Sequence, residues 1–193
     1  MNVQPRHFRE IRHYDNVVYL GFHIAHANIL IYCAISRPYA TTLEMEQDLV
    51  AKFNAVVKPE DTVWHLGDFA MNEVVVPKVL PRLYGHHKLV SGNHDKCHPK
   101  HKNWEAAKRR YLSYGFEEVV VSAEVHPFKL CHMPYDDIRY PDHALKDEGS
   151  WLICGHVHGA WKIKGKMINV GVDVWDMAPV SLETLLAIRE ATK

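Results

Sequence analysis

The sequence predicts an α/β fold. Short β-rich apolar runs alternate with longer stretches of helical period, and the polar clusters fall directly after the strands, where open α/β sheets place their ligand sites. No internal repeat, low-complexity stretch or linker divides the 193 residues, so one domain over 1–193 is expected, with 1–16 as an N-terminal extension. Apolar residues make up 47% and charged residues 24%, enough to build a core rather than a disordered tail. The 23 basic and 23 acidic side chains balance, which argues against polyanion binding through bulk charge. No run reaches the roughly 20 apolar residues of a membrane span. The polar start Met1–His7 lacks an apolar signal core, so a cytoplasmic protein without membrane partners is expected.

Asn16–Leu20 reads as a buried strand. Thr41 with Glu44 three residues on is a capping-box signal, after which Met45, Leu49, Phe53, Val56 and Val57 recur at helical spacing up to Pro59. Thr62–Leu66 is a second strand, ending at Gly67-Asp68. Glu73–Leu83 reads as a helix interrupted by Pro77 and Pro81. His87–Val90 is a third strand, ending at Ser91-Gly92-Asn93-His94-Asp95. Asn103 is a candidate cap for a helix from Trp104 to Tyr114 that stops at Gly115. Glu118–Val121, Phe128–Leu130, Trp151–Cys154 and Lys166–Val170 are β-like. Ser181 caps a last helix, Leu182–Arg189.

Histidine is the unusual component, at 15 residues dispersed along the chain. Imidazole ligates borderline metals. The four cysteines (Cys33, Cys97, Cys131, Cys154) form no CxxC pair and read as reduced thiols, mostly in the core. Four clusters stand out: Gly21-Phe22-His23 with His26, Gly67-Asp68, Gly92-Asn93-His94-Asp95, and Gly155-His156-Val157-His158. The lone His132 closes an apolar strand, which favours it over His126 as a ligand. His156 and His158 are two apart, so an extended backbone would aim both to one side as a chelating pair. This oxygen-and-nitrogen donor set suits Mn, Fe, Zn, Co or Ni. A single carboxylate, Asp68, among imidazoles fits a bridge between two metals about 3.5–4 Å apart.

The order Gly67-Asp68, Gly92-Asn93-His94-Asp95, His132, Gly155-His156-Val157-His158 resembles the calcineurin-like metallophosphoesterase family over roughly residues 17–180. The small bacterial and phage members are the nearest in pattern, through Asn28-Ile29, Arg37-Pro38, His65-Leu66-Gly67-Asp68-Phe69 and Asn169-Val170-Gly171-Val172-Asp173. The resemblance implies two facing β-sheets wrapped by helices and two divalent transition metal ions, Mn before Fe, Zn, Co or Ni. It makes Asp68 the bridge and assigns Asn93, His132 and His156 to one metal, His23 and His158 to the other. His94, backed by Asp95, would stabilise developing charge or protonate the leaving oxygen. The remaining candidates, for substrate or outer-sphere contact, are His26, Asn28, Arg37 and His65, the last of which reads equally as a satisfied core histidine. The implied reaction is hydrolysis of phosphodiesters or nucleotide phosphates by a hydroxide that the two metals generate near neutral pH.

One departure from the family pattern bears on that reading. The first motif carries an Asp two residues before the position of His23, and this chain has Gly21 there. The first metal would keep His23, His158 and a share of Asp68, and a missing ligand carboxylate should weaken it at least about 10–100-fold. The alternative from another class is a catalytically impaired member that binds metal, nucleotide or a partner protein. His7, His13, His98, His101 and His143 read as surface residues, and His86 and His87 as turn residues. The basic run Lys96–Arg110 reads as a solvated helix face, with a phosphate-attracting rim for nucleotides or nucleic acid as its functional alternative.

Overall fold

Four short parallel strands build the first sheet: β1 (Val17–Leu20), β2 (Thr62–His65), β3 (His86–Val90) and β4 (Glu118–Val120). The computed structural model describes residues 17–192, so the expected 1–16 extension, including Asn16, His7 and His13, lies outside the described residues. The second sheet contains β5 (Ser122–Val125), β6 (Phe128–Cys131), β7 (Trp151–Cys154), β8 (Ile163–Lys164) and β9 (Met167–Asn169). It is ordered β5-β6-β7-β9-β8, with β6, β7 and β9 parallel and its edges antiparallel. A final strand, β10 (Val180–Ser181), closes the first sheet antiparallel to β1. Two mixed five-stranded sheets flanked by helices form the α/β sandwich.

Strand alternation sorts the apolar side chains into layers. Val18, Leu20, Val63 and Leu89 point from the first sheet to the helices, while Tyr19, Trp64 and Val90 point inward. There they meet Phe128, Leu130, Trp151, Ile153 and Ile168 of the second sheet. The far face of the second sheet, with Cys131, Leu152 and Cys154, packs under Met133 and Tyr135.

The helices are α1 (Ile29–Tyr32), α2 (Thr42–Val56), α3 (Val76–Val79), α4 (Trp104–Ser113) and α5 (Leu182–Ala191). Thr41 caps α2 by accepting the Glu44 N–H at 3.1 Å, and the Glu44 carboxylate accepts the Ala40 N–H at 3.0 Å. Met45, Leu49 and Phe53 form its buried stripe. The expected helix over Glu73–Leu83 is three pieces: 3₁₀ turns at 73–75 and 80–82 on either side of α3. Pro77 and Pro81 each take the second position of a new piece, where a missing N–H breaks no ladder. Asn103 sits at the start of α4 without a side-chain capping bond, whereas Ser181 does cap α5. Among the described residues no helix is long and apolar enough to cross a membrane.

The carboxyl ends of the parallel strands of both sheets face one crevice. The segments after β1, β2, β3, β6 and β7 carry His23, Asp68, Asn93, His132 and His156 respectively.

Candidate metal centre

The turns after β2 and β3 interlock at their glycines. Gly67 lies at φ +82°, and a Cβ on it would come within 2.6 Å of the Gly92 backbone. A Cβ on Gly92 would strike the Asp68 carboxylate. Asp95 fastens the two turns together: its carboxylate accepts the backbone N–H groups of Asp68 (2.7 Å), Phe69 (3.0 Å) and Gly92 (2.8 Å). The expectation that Asp95 backs the His94 ring is therefore corrected, because both carboxylate oxygens are taken by the main chain. His94 meets Asp68 through its own backbone N–H, 2.7 Å from Oδ1.

Asp68, Asn93, His132 and His156 converge. His132 Nε2 lies 3.2 Å from Asp68 Oδ2, 3.2 Å from Asn93 Oδ1 and 3.3 Å from His156 Nδ1. The opposite nitrogen, His132 Nδ1, is 2.6 Å from the Leu66 carbonyl. A carbonyl only accepts, so the proton sits on Nδ1 and Nε2 faces the cluster. Asp68, His132 and His156 offer three ligand atoms within 4.8 Å of one another.

A second group lies beside this one. The His23 and His158 rings stack at 4.3 Å with a 30° tilt, and His23 Nδ1 is 4.0 Å from Asp68 Oδ2. Both Nδ1 atoms are buried without a hydrogen-bond partner. Orphaned buried nitrogens are costly unless something else binds them, and a divalent ion ligated by His23 and His158 would satisfy such nitrogens. Gly21, buried two residues before His23, bridges to Gly171. A Cβ on Gly21 would make only ordinary contacts, 3.7 Å to Gly171 Cα and 3.9 Å to the Gly67 carbonyl. A carboxylate-bearing side chain could therefore start from this position without clash.

His23, Asp68, His156 and His158 all adopt positive φ, at 61°, 50°, 65° and 49°. Non-glycine residues avoid that region, and holding four there is a cost that concentrates at functional sites. This corrects the extended-backbone picture of His156 and His158: both are left-handed, and they serve different neighbours, His132 and His23. The electrostatics suit ligation. Burial lowers the His23, His158 and His94 pKa values, and burial with the His132 and Arg139 charges takes His156 down to about 4. Burial opposes ionisation of Asp68, but His132 outweighs it and holds the carboxyl below its usual range. The Asp68 carboxylate and the neutral His23, His156 and His158 rings are in the form metals take up, whereas the Asp68 charge and hydrogen bond outweigh burial and raise His132. The residues present fit a divalent ion.

The outer candidates fare differently. His26 flanks the site, its ring 6.0 Å from His23 and 6.2 Å from His94, with Nδ1 accepting the Ile29 N–H. Asn28 is exposed at the start of α1 and makes no side-chain capping bond. Arg37 is corrected from substrate contact to internal strap: it is 1% exposed and forks onto Asp173 at 2.7 and 2.8 Å. His65 takes the second of its two expected roles, a packed core histidine. It is buried among Phe22, Phe53, Phe69 and Phe116, and its Nε2 meets His87 Nδ1 at 3.1 Å. His98 and His87 are also buried, against the surface and turn expectations. Sequence reasoning missed Asp137 and Arg139, which reach His156 from the loop after β6. Their signal, Asp-x-Arg shortly after a ligand histidine, is too common to single out.

A groove of about 710 Å³ runs from His158 along Gly159 and Ala160, walled by Ile31, Tyr32 and Ile35. A sequence model for the calcineurin-like phosphoesterase superfamily domain matches residues 45–175. The chain is 32% identical over 181 residues to an uncharacterized protein of Methanocaldococcus jannaschii, covering 89% of each. It is 28% identical to the gene 66 protein of Mycobacterium phage L5, covering 79% of this chain and 84% of the phage protein. A crystal structure of a protein of unknown function from Aquifex aeolicus superposes with a TM-score of 0.64 at 26% identity, covering 90% of this chain and 98% of that one.

Proposed function

Since this chain belongs to the calcineurin-like phosphoesterase superfamily, we propose that it hydrolyses phosphodiesters or nucleotide phosphates with two divalent transition metal ions, manganese foremost. The observation supporting this reading is the convergence of Asp68, Asn93, His132 and His156 beside the unpartnered His23–His158 pair. Bound there, divalent ions supply Lewis acidity that polarises phosphoryl oxygens and makes a water nucleophilic near neutral pH.

The chain's own residues set the rest. Asp68 is shared between the two groups, because Oδ2 faces both His132 and His23. Leu66 fixes the His132 tautomer, and Asp95 keeps the Asp68 turn against the Asn93 turn. No hydrogen bond among the described residues engages the His94 ring nitrogens, which leaves them for a phosphate or leaving-group oxygen. The groove beside His158 offers room for the organic arm of the ester. The basic run divides: Lys96 and Lys100 lie close enough to influence His94, while Arg110 is tied to Glu73. Small phosphoesters are therefore the favoured substrates over nucleic acid. A cytoplasmic setting is part of this proposal.

Gly21 supports a second reading, a member that binds metal and ligand with little turnover. The test compares the chain with its Gly21→Asp variant, by Mn²⁺ titration and by Mn²⁺-dependent hydrolysis of an aryl phosphodiester. The expected result is turnover by the unaltered protein, one tight and one weak Mn²⁺, and at least about tenfold tightening of the weak site in Gly21→Asp. Failure to take up any Mn²⁺ would overturn the proposal. Turnover confined to Gly21→Asp would establish the second reading.

A further inference from the structure

Asp137 and Arg139 take no part in the reaction as proposed, yet both touch His156. Asp137 holds the arginine: its Oδ1 accepts the Arg139 backbone N–H at 2.8 Å, and its Oδ2 lies 3.2 Å from Arg139 Nη2. The same Nη2 donates to His156 Nε2 at 2.8 Å, and Asp137 Oδ2 stands 3.6 Å from that nitrogen. The Asp137 side chain is almost enclosed, while that of Arg139 is 64% exposed at the mouth of the centre.

A guanidinium has donors and no acceptor, so its bond to His156 requires a bare Nε2 and places the ring proton on Nδ1. Nδ1 is the nitrogen that faces His132 in the ligand cluster. A ligating nitrogen must itself be bare. The neutral His156 ring cannot accept from Arg139 and offer Nδ1 as a ligand at the same time.

We infer that Arg139 is a phosphate-binding side chain parked on His156, and that filling the metal centre hands His156 Nε2 from Arg139 to Asp137. The ring keeps its single proton, which moves from Nδ1 to Nε2. Nε2 becomes a donor, and Asp137, an acceptor only, receives it, the carboxylate–histidine arrangement that steadies ligand imidazoles. With Oδ2 of Asp137 turned to His156, Arg139 keeps its backbone N–H on Oδ1 and its exposed guanidinium loses both partners of Nη2, which opens the fork at the mouth. A guanidinium fork matches two non-bridging phosphate oxygens. Lys100 provides a second cation on this rim, its Nζ 5.5 Å from the Tyr140 ring centre, and Tyr140 in turn packs edge-on to His156 at 5.4 Å. Phosphate capture would thus depend on a loaded centre. This inference rests on the metallophosphoesterase reading.

The experiment is calorimetric. Mn²⁺ is titrated into the metal-free full chain, then inorganic phosphate into the Mn²⁺-loaded chain, for wild type, Arg139→Gln, Arg139→Lys and Asp137→Asn. Arg139→Gln should bind Mn²⁺ at least as tightly as wild type and phosphate roughly 10- to 100-fold more weakly. Asp137→Asn should weaken Mn²⁺ binding about 10- to 100-fold. Arg139→Lys should recover only part of the phosphate affinity, because an ammonium cannot fork. Unchanged phosphate affinity in Arg139→Gln, or unchanged Mn²⁺ affinity in Asp137→Asn, overturns the inference while leaving the proposed activity standing. A wild-type chain that binds no Mn²⁺ overturns both.

Discussion

Asp95 shows how far a residue's role can stand from the motif that contains it. In the sequence it follows His94 and invites a catalytic partnership. In the fold it is buried, and its carboxylate serves three backbone N–H groups on two turns. Burial and the Asp68 charge push its carboxyl up, and those N–H groups oppose the rise by favouring the charged form. Asp95→Ala would leave the three donors buried and unpaired, each at about 1–3 kcal/mol. The expected loss is therefore about 3 kcal/mol or more, read from the urea midpoint, with Mn²⁺ affinity falling as the Asp68 turn loosens. Asp95→Asn keeps one accepting oxygen and should lose less. If Asp95→Ala unfolded at the wild-type midpoint and lost only turnover, the residue would return to the catalytic role that its sequence position implies.

Between elements, the Arg37–Asp173 pair straps the turn after α1 to the segment after β9. Arg37 also donates from Nη1 to the Phe22 carbonyl at 2.9 Å, one residue before His23, so the strap braces the first ligand group. Arg37→Met would strand the Asp173 carboxylate in a site where burial disfavours charge, at a cost of about 3–5 kcal/mol. Burial alone would raise the Asp173 pKa. The Arg37 hydrogen bonds and charge outweigh it and bring the value down to about 2. A depressed carboxylate stabilises the fold fully above its unfolded value, near 3.8, and that contribution disappears as the pH falls toward 2. Acid unfolding followed between pH 5 and 2 should accordingly show a steeper slope in wild type than in Arg37→Met, where the other depressed carboxylates, Asp48, Asp68 and Glu73, still contribute. An equal slope in both chains would refute the assignment. This strap also marks where sequence reading stops. Arg37-Pro38 and Asn169–Asp173 are both visible as motifs, but nothing local says that they meet. The capped helices α2 and α5 and the buried strands were legible, because caps and apolar runs are local signals. β5, β8 and β10 were not: β5 is an edge strand of mixed exposure and the other two have two residues each. The candidate ligand types and their order are visible along the chain, whereas the left-handed turns at His156 and His158 depend on the tertiary setting.

On the scale of the whole molecule, the candidate metal centre lies at the seam between the two sheets. Asp68 and Asn93 come from turns of the first sheet, while His132 and His156 follow strands of the second. An ion held by all four would cross-link the halves of the sandwich, and the unfolded chain has no comparable site. Binding that favours only the folded state adds about 2.7 kcal/mol at a hundredfold excess over Kd. For a chain of this length that corresponds to a rise of roughly 5–10 °C in Tm. Thermal unfolding in Mn²⁺ against EDTA should show this rise. Asp68→Asn should largely abolish it, because the amide still accepts the His94 N–H but no longer brings charge to both ligand groups. The inter-sheet core of Tyr19, Trp64, Phe128 and Ile153 is untouched by that change, while the buried Asp68–His132 pair is lost, so the quantity compared is the Mn²⁺-against-EDTA difference within each chain. A rise of equal size in Asp68→Asn would mean that Mn²⁺ binds elsewhere and that the seam is held by packing alone.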